Sequence, residues 1–156
     1  MKKQSLLILL AVVLLIGVLT VQAATIEETT AVVYVNDKFT GTSTGDDQAP
    51  FTTLKDAITG INAMVSANSA LTQGVIVLVE DLTITSYDSA DFHTLPACSV
   101  PLFVTGADAA DPAVITFGGS NKKYLAISSE TVFDNVIFKA ANTNANVEIW
   151  SGYRAV

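Results

Sequence analysis

The residues best suited to chemistry in this chain are the oxygen-bearing side chains of one Gly-rich segment, NDKFTGTSTGDDQAP at 36–50. Asp46 and Asp47 are adjacent there, and Asn36 and Asp37 stand at its start. Ca²⁺ takes six to eight oxygen ligands, so Asp46 and Asp47 are candidate calcium ligands. Their spacing does not fit an EF-hand, and Asp, Asn and Gly are also the ordinary residues of turns, so a solvated turn is the alternative.

Two aromatic residues near the end of the chain are candidates for carbohydrate binding. Trp150 ends the β-rich run VEIW, and Tyr153 follows it. If exposed, both could stack on sugar rings. Large aromatics are highly buried on average, which favours a core position for Trp150.

The residues that most often act in hydrolases do not form a catalytic set in this sequence. His93 is the only histidine, and no nucleophile motif lies near it, which favours a structural or a surface position over catalysis. Asp108 and Asp111 are three residues apart in a turn before a proline, where glycosidase carboxylates would instead flank a groove. We therefore predict no catalytic residue in this segment.

The N-terminus has the pattern of a secretory signal. Two lysines precede an apolar run at 5–20, and Val21 and Ala23 fit a small-residue cleavage site. We predict a signal peptide at 1–23 and a secreted or cell-surface location. An uncleaved membrane anchor is the alternative, because the run approaches the ~17 residues that can span a bilayer.

Charge excludes some partners of the mature chain. The whole sequence has a formal charge of −7, and removal of the two N-terminal lysines makes the mature chain more acidic. Such a surface disfavours nucleic acid and anionic membranes. The single cysteine, Cys98, cannot form an internal disulfide, and we expect it to be buried.

The candidate calcium ligands belong to an N-terminal unit that has a strand, loop and helix pattern of its own. A polar linker at 24–30 precedes a cap at 31–73, which begins with the strand AVVYV and continues through the Gly-rich loop into a helix. Thr53 and Asp56 fit a capping box at the start of that helix. Its apolar residues have the spacing of one helical face: Leu54, Ala57, Ile58, Ile61 and Val65.

From residue 74 to 156 the sequence consists of short β-rich runs that come in pairs, and the pairs recur. LFVTG, YLAIS and VEIWS start at 102, 124 and 147, and AVITF and NVIFKA start at 113 and 135, so the offsets are about 22 residues. The segment SYDSADFHTLPACSV interrupts this spacing as an insertion. Short repeats of this length predict the rungs of a solenoid.

The opening segment resembles that of right-handed parallel β-helix proteins of the pectin-lyase-like superfamily. The resemblance rests on a strand Y-V, a Gly/Asp loop and P-F-x-T-L-x-x-A-I, which fall here at Tyr34, Val35, Pro50, Phe51, Thr53, Leu54, Ala57 and Ile58. Asn135 matches the Asn between two apolar strands of a rung, where an amide in a bend could hydrogen-bond the next rung. The resemblance implies an all-β, right-handed parallel β-helix with an N-terminal capping strand and amphipathic helix, truncated at its C-terminus.

Two classes of function are compatible with this pattern. The first is an exported β-helix that binds or presents polysaccharide or protein without catalysis, with no cofactor except for the possible calcium. The alternative is the N-terminal part of a polysaccharide lyase or glycoside hydrolase whose catalytic rungs lie beyond residue 156. A third interpretation, a small self-contained secreted domain, would leave the edge of the last rung open, and such a domain should dimerise or aggregate.

Overall fold

A computed structural model describes residues 29–89, 91–119, 122–142 and 146–151. The predicted signal peptide at 1–23, most of the linker at 24–30 and Tyr153 lie outside these residues. The described elements are one helix and ten strands: β1 Thr30–Val35, α1 Leu54–Ala67, β2 Gln73–Leu78, β3 Leu82–Ile84, β4 Phe92–Thr94, β5 Leu102–Gly106, β6 Ala113–Phe117, β7 Lys123–Ile127, β8 Thr131–Asp134, β9 Val136–Ala140 and β10 Val147–Ser151.

The strands form three sheets in which all the strand pairs are parallel. One sheet has the order β1-β2-β5-β8, the second β3-β6-β9 and the third β4-β7-β10. From β2 onward, each sheet therefore receives every third strand of the chain. We call the three successive sets layers: β2 to β4 is the first layer, β5 to β7 the second and β8 to β10 the third.

The strand register corrects the spacing predicted from the sequence. LFVTG is β5 and pairs with β2 and β8, whereas YLAIS is in β7 and belongs to another sheet, so the offset between these two runs does not reflect pairing. The other two offsets are each one residue short, because Ala113 pairs with Val136 and Lys123 with Val147. A slip of one residue would turn every side chain of a strand to the opposite face.

The segment predicted as an insertion contains a strand. SYDSADFHTLPACSV includes β4, which pairs with β7 and places the first layer in the third sheet. Its three residues, FHT, are too short to show a period in the sequence. A layer therefore contains three strands, and not the pairs of strands that the sequence suggested.

The core lies between the three sheets. In the first two layers, alternate strand residues point inward and are almost fully buried, such as Ile76 and Leu78 in β2 and Ile115 and Phe117 in β6. In the second layer, Val104, Ile115 and Leu125 are each 0% exposed, one from each sheet. Most of the inward-facing residues are apolar and stack on those of the neighbouring layers, and the buried polar exceptions include His93, which is in register with Leu125.

Helix α1 begins where the sequence predicted. The Thr53 hydroxyl accepts a hydrogen bond from the backbone N–H of Asp56 at 3.1 Å and donates to its carboxylate at 2.7 Å, which confirms the pairing of these two residues at the N-terminus. Leu54, Ala57, Ile58 and Ile61 are buried in the common core, and Val65 is half-buried. The predicted apolar face of the helix is thus confirmed.

Polar side chains in the loops and turns hydrogen-bond to backbone groups of neighbouring strands and turns, and so link successive parts of the β structure. The Asp37 carboxylate accepts from the backbone N–H of Thr83 at 2.8 Å, and that of Asp81 accepts from Val114 at 2.9 Å. Asn135 has a φ of 55°, and its side-chain amide donates to the Asp108 carbonyl at 2.6 Å. The predicted role of Asn135 in a bend is confirmed, although its amide bonds the preceding layer.

Candidate carbohydrate-binding face

Three aromatic residues share the outer surface of the sheet β4-β7-β10. Phe92 on β4 is in register with Tyr124 on β7, and Trp150 on β10 is in register with Ala126 on β7. Because side chains alternate along a strand, these residues point away from the core, opposite to the buried Leu125. We call Phe92, Tyr124 and Trp150 the aromatic face.

The rings of the aromatic face form a corner. Phe92 and Tyr124 stack with centroids 4.5 Å apart and planes 13° apart, as expected for residues in register on neighbouring strands. The Trp150 indole stands edge-on to both, with centroids 5.5 Å away and planes at 85° to Phe92 and 75° to Tyr124. The corner therefore has one wall built from the indole and one from the stacked pair.

Charged groups border this corner. Lys122 pairs with Glu148, which is in register with Tyr124, and the Lys122 ammonium lies 5.4 Å from the Tyr124 ring centroid. The Lys122 ammonium lowers the pKa of the Glu148 carboxyl, with a smaller contribution from Trp150, so this group stays an anionic hydrogen-bond acceptor. Glu148 in turn raises the pKa of Lys122. The corner thus combines apolar walls with a charged hydrogen-bond donor and a charged acceptor beside them.

The structure corrects the core position that was favoured for Trp150. Its side chain is 55% exposed, more than any other large apolar residue that the structure describes. The run VEIW correctly predicted a strand. Whether Trp150 is buried depends on the face of the sheet to which it points, and it points to the outer face together with Glu148. Phe92 and Tyr124 were not identified from the sequence, because their neighbourhood arises from strands 32 residues apart that pair only in the folded chain.

The candidate calcium ligands lie in a turn that is stabilised by its own hydrogen bonds. One Asp46 oxygen accepts from the backbone N–H groups of Gln48 and Ala49, and the other accepts from the Thr44 hydroxyl. These hydrogen bonds, the Thr44 hydroxyl first, lower the pKa of Asp46. Asp47 is exposed. The structure thus shows a turn-stabilising role for Asp46, and the calcium prediction stays a prediction.

Gly45 and Phe51 close this turn. Gly45 has a φ of 89°, and a Cβ at this position would lie 2.3 Å from the Phe51 ring. Only glycine adopts that backbone conformation and leaves that space without strain. The same ring lies against Gly60, so Phe51 connects the Gly-rich loop to the middle of α1.

His93 has a structural position, as predicted. It is 5% exposed, and its Nδ1 lies 2.8 Å from the Ser86 carbonyl. Burial lowers the pKa of His93, so the ring is neutral at pH 7. Beside it, the buried Lys123 ammonium pairs with Asp91 at 2.9 Å and lies 4.5 Å from the Tyr87 ring centroid.

One segment of the sequence matches a hydrolase nucleophile motif but lies within a loop. Residues 41–45 read Gly-Thr-Ser-Thr-Gly and match G-x-S-x-G. That motif signals a hydrolase only where a strand turns directly into a helix, with the serine at the bend. Here β1 ends at Val35 and α1 begins at Leu54, and Ser43 makes no hydrogen bond with His93.

Asp108 and Asp111 close a turn at the rim of a surface groove of about 660 Å³. The backbone N–H of Asp111 donates to the Asp108 carbonyl at 3.3 Å, and one Asp108 carboxylate oxygen accepts from the Ala110 N–H at 2.8 Å. The groove is also lined by Glu80 and Asp81, and Glu80 pairs with Lys38. Asp81 and Asp108 thus each support local structure.

The described residues contain neither a group of metal ligands nor a membrane-spanning helix. Within residues 29–89, 91–119, 122–142 and 146–151, no three or more His, Cys, Asp or Glu side chains group as a metal site would require. No helix among them has the length and apolarity to cross a membrane. Cys98, expected to be buried, is a free, half-buried thiol packed against the core.

Comparisons of the chain with protein-family models, with curated proteins and with solved structures find no match. The structure is mostly β, with parallel sheets and one helix, which is compatible with the β-helix that the opening segment suggested.

Proposed function

We propose that this chain is an exported, right-handed parallel β-helix that binds polysaccharide without catalysis through the aromatic face. The β-helix is supported by the order of the strands, since each layer adds one strand to each of the three sheets. Parallel crossover connections are right-handed in about 98% of cases, which sets the expected hand. Export rests on the signal pattern at 1–23.

One observation carries the binding function: a half-exposed tryptophan stands against two further aromatic rings on an outer sheet surface. Leaving an indole in water forgoes the burial that drives folding, and clustered exposed apolar groups mark interaction sites. The mature chain is acidic and Glu148 is anionic beside the rings. A neutral polysaccharide fits this face better than a polyanionic one, which the overall charge would repel.

The test is retention of the secreted chain on insoluble neutral polysaccharides, measured as depletion from solution and as an apparent Kd. We expect Trp150→Ala to weaken binding about 3- to 10-fold, the loss of one aromatic contact of ~0.5–1.5 kcal/mol. Val32→Ala, which truncates an exposed apolar residue on β1 in a different sheet, should bind as the unmodified chain does. Equal binding by the two variants, or no retention of the unmodified chain, would refute the proposal.

A further inference from the structure

His93 links the interior of the fold to the aromatic face. It is the middle residue of β4, and because side chains alternate along a strand, His93 points inward while Phe92 before it points outward. His93 is 5% exposed and in register with the buried Leu125, whereas Phe92 stacks on Tyr124 and meets Trp150 edge-on. A change in the way His93 is held therefore acts on Phe92 as well.

The surroundings of the His93 ring favour a neutral imidazole. Its Nδ1 donates to the Ser86 carbonyl at 2.8 Å, since a carbonyl oxygen can only accept, and this leaves Nε2 as the atom to which a further proton would add. The ring lines a cavity of about 90 Å³, in which hydroxyl-bearing residues stand beside the buried Leu54, Leu82 and Ile84. Among the residues that the structure describes, no ion pair includes His93. An imidazolium at this position would be a buried charge without an anionic partner, which is costly.

The charged groups near His93 already pair with one another. The charged and titratable groups around the ring are Lys55 of α1, Tyr87, Asp88 and Asp91 between β3 and β4, and Lys123 of β7, whereas β3 carries none. The four charged residues form two ion pairs, Lys55 with Asp88 and Lys123 with Asp91. Burial is the main cause that lowers the pKa of His93, Lys55 lowers it further, and Asp88 opposes this. The pKa of Asp88 is about 2, so its pair with Lys55 stays ionised when the pH falls from 7 to 5.

The strand that carries His93 is weakly held. β4 has three residues, and among the described strands it pairs only with β7. Elements with few contacts are the ones that open locally at a low cost in free energy. His93 is also the one histidine of the chain, and histidine is the side chain whose ordinary pKa lies between pH 5 and pH 8.

We propose that His93 is a pH sensor for the aromatic face: acidification protonates its ring, releases β4 from β7 and withdraws Phe92 from Tyr124 and Trp150. As far as polysaccharide binding is concerned, this inference rests on the proposed function. The docked strand favours the neutral ring, so release of β4 takes up a proton and becomes more favourable as the pH falls below the ordinary histidine pKa of about 6.5. The chain then binds polysaccharide at neutral pH and releases it in acid.

The release of β4 is tested without a ligand through Trp150, the only tryptophan of the chain. We expect the Trp150 fluorescence of the secreted chain to change in a one-proton transition between pH 7 and pH 5, because Phe92 leaves the indole. Glu148 beside the indole stays ionised over this range, since Lys122 lowers its pKa. Far-UV circular dichroism should remain the same. The absence of a fluorescence transition, or loss of the whole fold at pH 5, would overturn the proposal.

His93→Gln is the matched variant, because its amide can still donate to the Ser86 carbonyl but does not titrate. Its Trp150 fluorescence should show no transition between pH 7 and pH 5. His93→Leu, which places an apolar side chain against Leu125, is a second variant without a titrating group in case the glutamine variant does not fold. A transition of the same size in these variants would show that His93 is not the sensor.

The coupling to binding is measured as the apparent Kd for an insoluble neutral polysaccharide at pH 7 and at pH 5. The unmodified chain should bind about 3- to 10-fold more weakly at pH 5, the loss of one aromatic contact, and His93→Gln should bind equally at both. Equal weakening of the two proteins in acid, or none in the unmodified chain, would overturn the coupling. No retention at pH 7 would refute polysaccharide binding itself, and the fluorescence transition would still decide whether His93 releases β4.

Discussion

Replacement of Ile58 by aspartate should strongly destabilise the fold through helix α1. Ile58 is 1% exposed and belongs to the same apolar core as Val33, Leu78 and Leu82, residues of β1 and of the first layer. The substitution forgoes burial of a large apolar side chain, about 1.5–3 kcal/mol, and leaves a buried carboxyl group without partners, about 1–3 kcal/mol more. We expect a loss of roughly 3–6 kcal/mol from a total stability of ~5–15 kcal/mol.

The measurement is thermal unfolding of the secreted chain by circular dichroism. At about 3–5 °C per kcal/mol for a domain of this size, the variant should lose on the order of 10–30 °C in Tm at pH 7. Burial raises the pKa of a carboxyl group, so the introduced group takes up a proton as the pH falls. The deficit should therefore shrink between pH 7 and pH 5, which distinguishes a buried charge from lost packing.

Ala63→Asp is the matched control, because Ala63 is an exposed residue in the middle of the same helix. It introduces the same carboxylate at a helix-propensity cost of up to about 0.7 kcal/mol. Lys55 is unsuitable as a control, since it pairs with Asp88. If Ile58→Asp and Ala63→Asp shifted the Tm equally, α1 would not cover the core and the reasoning would be refuted.

Three further predictions concern polar contacts. Lys55, together with the Thr94 N–H, lowers the pKa of Asp88 to about 2. NMR titration of Asp88 should therefore show a low midpoint, and this midpoint should rise in Lys55→Met. The stability that ionised Asp88 contributes above pH 4 should be lost as the pH falls towards 2. Asp91→Ala should cost about 3 kcal/mol in chemical denaturation because it removes the carboxylate that pairs with the buried Lys123 ammonium, whereas the same change at Asp47, which is exposed, should have little effect. Asn135→Gly keeps the positive φ and should lose about 1 kcal/mol, and Asn135→Val should lose more because a β-branched residue is strained there; equal losses would contradict this.

Some features of this protein followed from the sequence because they depend on neighbours along the chain. The N-terminal capping of α1 by Thr53 and its buried face could be predicted, since capping and helical periodicity involve residues within one or two turns. The bend at Asn135 was implied by the resemblance of its surroundings to a β-helix rung, in which an Asn separates two apolar strands. Calcium binding by Asp46 stays untested, because a carboxylate in an Asp/Gly turn has the same local signature with or without a metal.

Tertiary structure alone decided which strands are neighbours and which face is outside. The offsets between the runs in the sequence differ by one residue from the register of the strands, and β4 lies in the segment predicted as an insertion. Loops of different length separate the strands of successive layers, and local periodicity does not specify which strands pair. For the same reason Trp150 was expected in the core. A strand residue is buried or exposed according to register, and only the pairing of β10 with β7 placed the indole outside, beside Phe92 and Tyr124.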